Sequence, residues 1–397
     1  MYCGFGTLTD KLAMTAWQHI QYYFRTNCTY AQILDLLNKK HQIKMSRSTL
    51  KRILSKMDLR RKNLRESNMH QICGAAVAEM RSVGMHLGYK ALHRKLVYCH
   101  GLVVKRDTVY KIMKEADPEG VRRRKARRLV RRKFWSPGPN FTWHIDGYDK
   151  LKNYGFYIHG AIDGFSRYIL WLKVATTNKD PKVVSHYYLT TVKDMGCVPA
   201  VIRADPGTEN VIVESLQKNF RAGHDDRQAG RKSYLTGSSV FNTKIESFWG
   251  QLRRSSMDFY IQLFEGMKDR LIFNGSEDDI KLLQFCFAAV IQADLVESKD
   301  LWNRHLIRKQ PTNSRNGDIP FALYNLPEKF RGTDCRKPVD LAAVDRLLKC
   351  EQLVSKPQLF DESFRQRVYS VLPDVKMPTN HKEALNLYIV LKQLLLI

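Results

Sequence analysis

FTWHIDGYDKL, residues 141–151, reads as a short strand running into a turn. Strand alternation sets Thr142, His144 and Asp146 on one face and Trp143 and Ile145 on the other. Two further stretches carry an acid at an equally legible place. VIRADPGTEN, residues 201–210, is a strand whose last residue, Asp205, meets the Pro206-Gly207 turn, at the carboxyl end where open α/β sheets present ligands. FNTKIESFWGQLRR, residues 241–254, is a helix with Ile245, Phe248, Trp249 and Leu252 as its buried stripe; Asn242, Glu246, Gly250 and Arg253 run along the adjoining face. Gly250 leaves room beside Glu246, and Arg253 is placed to meet a phosphate. Each acid alone says little, because an Asp at a strand end is commonly a turn residue and a Glu on a basic helix a solvated salt-bridge partner. Asp149 and Asp163 compete with Asp146, but Asp163, followed by Gly-Phe-Ser, reads as a turn-capping residue.

Outward from these stretches the same grammar continues. GFYIHGAID (155–163) and YILWLKVA (168–175) are strands, and PKVVSHYYLTTVKDMG (181–196) is a helix. RAGHDDRQAGRKSYLTGSS (221–239) is polar and glycine-bearing and reads as a mobile loop over the site, with His224, Asp225 and Asp226 as loop polarity. His144 reads as a structural histidine, since hard cations prefer oxygen.

The words WHIDGYDKL (143–151), HGAIDGFSR (159–167), GTEN (207–210), NTKIESFW (242–249), LWNRHLIR (301–308) and IPFALYNLPE (319–328) give residues from about 16 to 330 a specific resemblance. The chain resembles the retroviral-type integrases and DDE transposases, and in particular transposon-derived animal proteins that carry this core behind helical DNA-binding units. The resemblance implies an α/β fold: a ribonuclease-H-like core with a mixed five-stranded sheet over residues 141–315, preceded by an all-α region. It also implies that Asp146, Asp205 and Glu246 are catalytic and together hold two divalent ions, Mg2+ or Mn2+. Phosphoryl transfer needs such acids, because anionic oxygens hold hard cations and no side chain has to become covalent. The reaction implied is nicking of DNA ends and their joining to target DNA. The His/Cys zinc module of retroviral integrases is not found in the sequence, and residues 341–397 match nothing recognisable, so 316–397 is an unassigned extension.

Charge points the same way. The chain has 397 residues, enough for two to four folded units, and a net charge of +27. Residues 1–133 hold 30 basic and 9 acidic side chains, a net +21, so the front of the protein favours a polyanion. Within 16–62, Thr29 and Gln32 have the form of a capping box, and Ser46 caps a second helix. That second helix sets Leu50, Ile53, Leu54 and Met57 inward and Arg47, Ser48, Lys51, Arg52 and Lys56 outward, the arrangement of a recognition helix facing duplex DNA. Residues 67–120 read as a second helix-turn-helix-like unit. VRRRKARRLVRRK (121–133), inside a linker over 121–140, adds Arg122, Arg123, Arg124 and Lys125 as phosphate contacts and has the composition of a nuclear localisation signal.

Eight scattered cysteines without a CxxC pair fit a reducing compartment, and the closing ALNLYIVLKQLLLI (384–397) is too short for a membrane span and is interrupted by Lys392 and Gln393. The expectation is therefore a nuclear, membrane-free, DNA-dependent homo-oligomer with strand-transfer activity. The alternatives are a catalytically silent DNA- or chromatin-binding protein that keeps the core as scaffold, and a structure-selective nuclease on the same fold.

Overall fold

The computed structural model describes residues 15–61, 65–126, 136–237, 242–307 and 318–396. The expected strands form as β1 (Thr142–Tyr148), β2 (Tyr157–Asp163), β3 (Ile169–Ala175) and β4 (Val201–Ala204), and a fifth, β5 (Tyr234–Thr236), completes one mixed sheet in the order β3-β2-β1-β4-β5. β1 pairs antiparallel with β2 and parallel with β4, and β4 pairs parallel with β5. Alternation along these strands feeds two cores. Trp143 and Ile145 pack with α8 (Pro181–Met195) and α9 (Val211–Phe220) on one face. Ile158, Ile162, Leu172 and Val174 pack on the other with α10 (Thr243–Leu252), α11 (Asp258–Asp269) and the long α12 (Glu277–Asn303). The result is a sheet between two helical layers.

In front of it stand the two expected helical units. The first holds α1 (Ala16–Arg25), α2 (Tyr30–His41) and α3 (Arg47–Lys56). The Thr29/Gln32 capping box is present in full, and Ser46 accepts the Thr49 amide at 3.1 Å. The second holds α4 (Met69–Met80), α5 (Tyr89–Tyr98) and α6 (Arg106–Ala116) around Ile72, Leu92, Leu96 and Val109. The expected linker begins as helix α7 (Pro118–Ala126); residues 127–135 lie outside the described residues.

One expectation needs correction, and one unassigned stretch finds its place. The stretch 221–239 is not a loose lid as far as residue 237. Arg221, fully buried, donates to both oxygens of Asp226 at 2.6 Å, Lys337 pairs with Asp226 at 2.8 Å, and residues 234–236 join the sheet. Asp226 is thus a structural ion-pair centre rather than loop polarity; residues 238–241 lie outside the described residues. The extension after residue 316 is likewise built into the core. α13 (Pro320–Asn325) packs under the first helical unit, α14 (Leu341–Leu348) packs beside α8, and α15 (Glu362–Val371) and α16 (His381–Leu394) bury Phe364, Val368, Ala384, Tyr388 and Leu391 against the α12 layer. The apolar spacing of 341–397 had no recognisable family words, and it is packing against α8 and α12 that gives it a place.

Candidate active site

The register of the parallel pair explains the 59-residue interval between the first two acids. Thr142 lies opposite Val201 and His144 opposite Arg203. Continued two residues further, that register sets Asp205 beside Asp146, where the sheet's parallel strands end.

The third acid is brought in by Asn242. It precedes α10 but does not cap the helix with its side chain. Its Nδ2 donates instead to the Ile145 carbonyl at 3.0 Å, and its Oδ1 accepts Nδ1 of His144 at 2.8 Å. The amide therefore staples the start of α10 to the two residues preceding Asp146, and Glu246 follows one turn later. His144 is fully buried, and burial pulls its imidazole down to about 4, so it is neutral and its role is to hold Asn242.

Trp249 secures the first acid directly: its Nε1 donates to Oδ2 of Asp146 at 2.8 Å. The indole can lie there because the residue opposite Asp146 on β2 is Gly160, where a Cβ would stand 2.8 Å from Cη2 of Trp249.

Burial pushes the Asp146 carboxyl up to about 7; the Trp249 bond opposes the rise, and the charges of Glu246 and Asp205 add to it. Burial raises Asp205, with Asn242 opposing, and burial raises Glu246, with Asp205 adding and Lys150 opposing. The three acids are therefore electrostatic neighbours. Among the described residues, however, no group of three His, Cys, Asp or Glu closes into a metal cage. Oδ1 of Asp205 is buried with no hydrogen-bond partner, a position that suits a cation. The donor set, all carboxylate oxygen, suits a hard divalent ion.

The rival acids have other employment. Asp163 is fully buried and accepts the amides of Asn140, Phe165 and Ser166 and the Ser166 hydroxyl at 2.7–3.1 Å, closing the turn after β2. Asp149 is exposed and accepts from Asn178 at 2.6 Å. Arg253, expected at a phosphate, opens a π-helical turn (Arg253–Met257), and its Nε donates to Asp258 at 2.7 Å.

On α3, Arg47, Ser48, Lys51 and Arg52 are all exposed, and none makes an ion pair among the described residues. Arg122 is exposed on α7 and pairs with Glu119 at 3.0 Å; the side chains of Arg123, Arg124 and Lys125 lie outside the described residues.

Reading the sequence alone missed the roles of Asn242, Trp249 and Gly160. Asn242 stands four residues before Glu246 and so shares its face, and a glycine inside the strand HGAID signals a close approach. Trp249 carried no such signal, since its spacing marks it only as core.

A mixed five-stranded sheet flanked by helices, with one acid on the central strand, one just past the end of the parallel strand beside it and one on the helix docked against them, fits the class of ribonuclease-H-like integrase cores. Residues 134–324 match the integrase core domain family, and the chain carries an integrase core. Comparison with curated proteins returns no match.

Proposed function

We propose that the protein is a DNA-binding, divalent-metal-dependent polynucleotidyl transferase that nicks DNA ends and joins them to target DNA in the nucleus, acting as a homo-oligomer on DNA. What supports this reading is the placement of Asp146 and Asp205 on neighbouring parallel strands and of Glu246 on the helix that Asn242 docks against them, within a span that matches the integrase core domain family. Clusters of carboxylates held against their own repulsion mark sites built for something positive.

Mg2+ or Mn2+ held by these three residues supplies Lewis-acid polarisation of a phosphodiester and activation of the attacking oxygen. The chain's own part is positional. Trp249 fixes one oxygen of Asp146, and Asn242 keeps the start of α10, which carries Glu246, docked on β1. Duplex affinity is assigned to the front of the chain. Lys39 with Glu328 at 3.0 Å, Lys329 with Asp35, and Gln32 with Asp318 at 2.9 Å hold α2 against the segment around α13. α3 contributes no residue to these bonds, and its basic side chains stay exposed for a groove.

The test is incubation of the full chain with labelled oligonucleotides carrying candidate element ends, Mg2+ or Mn2+, and plasmid target. Joined product is expected. Duplex binding with neither nicking nor joining would assign the silent scaffold instead, and hydrolysis without joining would assign the nuclease.

A further inference from the structure

A cleft of about 280 Å3 lies between α5 of the second helical unit, the π-helical turn and α12; none of the three acids lines it. Its most informative side chain is Arg94. The Nε of Arg94 is buried with no hydrogen-bond partner, and the guanidinium makes no ion pair among the described residues. The side chain is half-buried, and the hydration lost at Nε is replaced by no protein group.

The acids of the cleft do not serve it. Glu297 takes Lys95 at 2.8 Å, Lys95 takes Glu79 at 3.0 Å as well, and Asp294 accepts the hydroxyl of Tyr260. The surroundings of Arg94 are basic instead. Arg106 adds to the downward pull that burial exerts on Arg94, and Arg94 and Arg167 both press on His305, which also lines the cleft.

Two backbone features complete the chemistry. Gly88, at the cleft, is the N-cap of the ten-residue α5 and brings no side chain to cap it, so the positive end of that helix dipole lies at the cleft. On the opposite wall the π-helical turn carries Arg254 and Ser255 to the cleft; such turns recur at functional sites.

We propose that this cleft is a phosphate-binding site, with Arg94 as its principal cation and the positive end of the α5 dipole and the charge of Arg254 beside it. The phosphate belongs either to the backbone of a bound duplex or to a free phosphorylated small molecule. The proposal does not depend on strand-transfer activity, so it stands or falls separately from that reading.

The experiment uses the full chain and two probes, pyrophosphate followed by calorimetry and a short blunt duplex followed across a salt series. Two variants are compared with wild type: Arg94→Gln removes the charge, and Ala91→Glu sets a carboxylate on the α5 face that lines the cleft while leaving Arg94 in place. Saturable pyrophosphate binding, weakened at least about tenfold in both variants, is expected. If the slope of log duplex affinity against log salt also falls by about one in Arg94→Gln, the phosphate is that of DNA. An unchanged slope with lost pyrophosphate binding assigns the free phosphorylated molecule. Melting curves identify a variant that has failed to fold, and Ala91→Glu decides the matter if Arg94→Gln does not fold. Equal affinity of wild type and folded variants for both probes overturns the proposal.

Discussion

Replacing Trp249 by Phe isolates the bond that orients the first acid. Phenylalanine keeps an aromatic ring beside Tyr148, whose centroid lies 5.4 Å from that of Trp249, but it has no N–H to give Asp146. A hydrogen bond to a charged group contributes about 1.5–3 kcal/mol. Each ~1.4 kcal/mol is about tenfold in an equilibrium constant. The ionised form of Asp146, the form that holds a cation, loses that support while the protonated form does not. Affinity for Mn2+ is therefore expected to fall about ten- to a hundredfold, the range measured for residues that orient metal ligands. Asp146 already sits near 7 in the presence of the donor. Without it, protonation competes to still higher pH, so the gap between Trp249→Phe and wild type is widest on the acidic side and narrows on the alkaline side. Calorimetric Mn2+ titrations at about pH 6.5 and about pH 8.5 read both effects, and thermal unfolding reports any loss of packing separately. If Trp249→Phe binds Mn2+ as wild type does at both pH values, Trp249 does not orient Asp146 for a cation.

Three further outcomes are expected. Asp146, raised by burial to about 7, contributes stability that is present below the ordinary carboxylate range and is lost as pH rises through about 7. Metal-free protein should thus lose melting temperature across that window, Mg2+ or Mn2+ should restore it more on the alkaline side, and Asp146→Asn should flatten both responses. Asp163→Asn leaves an amide NH2 facing one of the amides that now donate to the carboxylate, and should cost about 1–3 kcal/mol in denaturant unfolding without changing Mn2+ affinity. Replacing Lys51 and Arg52 by Gln should reduce the salt slope of duplex binding by about two, whereas replacing Lys376 and Lys382 should leave it unchanged; equal slopes for both pairs would remove α3 from the interface.

Most of the core's individual strands and helices were legible from strong local signals, whereas the mixed sheet they form was legible only through the resemblance to integrase cores. Thr29 and Ser46 announced α2 and α3, the Pro206-Gly207 turn ended β4, and Asp163 announced its own turn. The positions of Asp146, Asp205 and Glu246 on strand, strand end and helix followed from periodicity. What periodicity could not give was their approach, which depends on the parallel register of β1 with β4 and on the cross-chain bonds of Asn242 and Trp249. The stretch after Arg221 misled because its polarity is spent internally, on an ion pair with Asp226 that also takes in Lys337 from more than a hundred residues away. Residues 341–397 were opaque for a similar reason, as short amphipathic helices acquire meaning only from the surfaces that α8 and α12 offer them.

The most direct measurement compares Asp146→Asn, Asp205→Asn and Glu246→Gln singly and combined in the joining reaction, with duplex binding followed in parallel. If the three acids act as one metal-holding unit, each single change abolishes nicking and joining nearly as fully as the triple change, and duplex affinity is nearly unaltered. Joining activity that survives in Asp205→Asn or Glu246→Gln, or losses that multiply from one variant to the next, would contradict it.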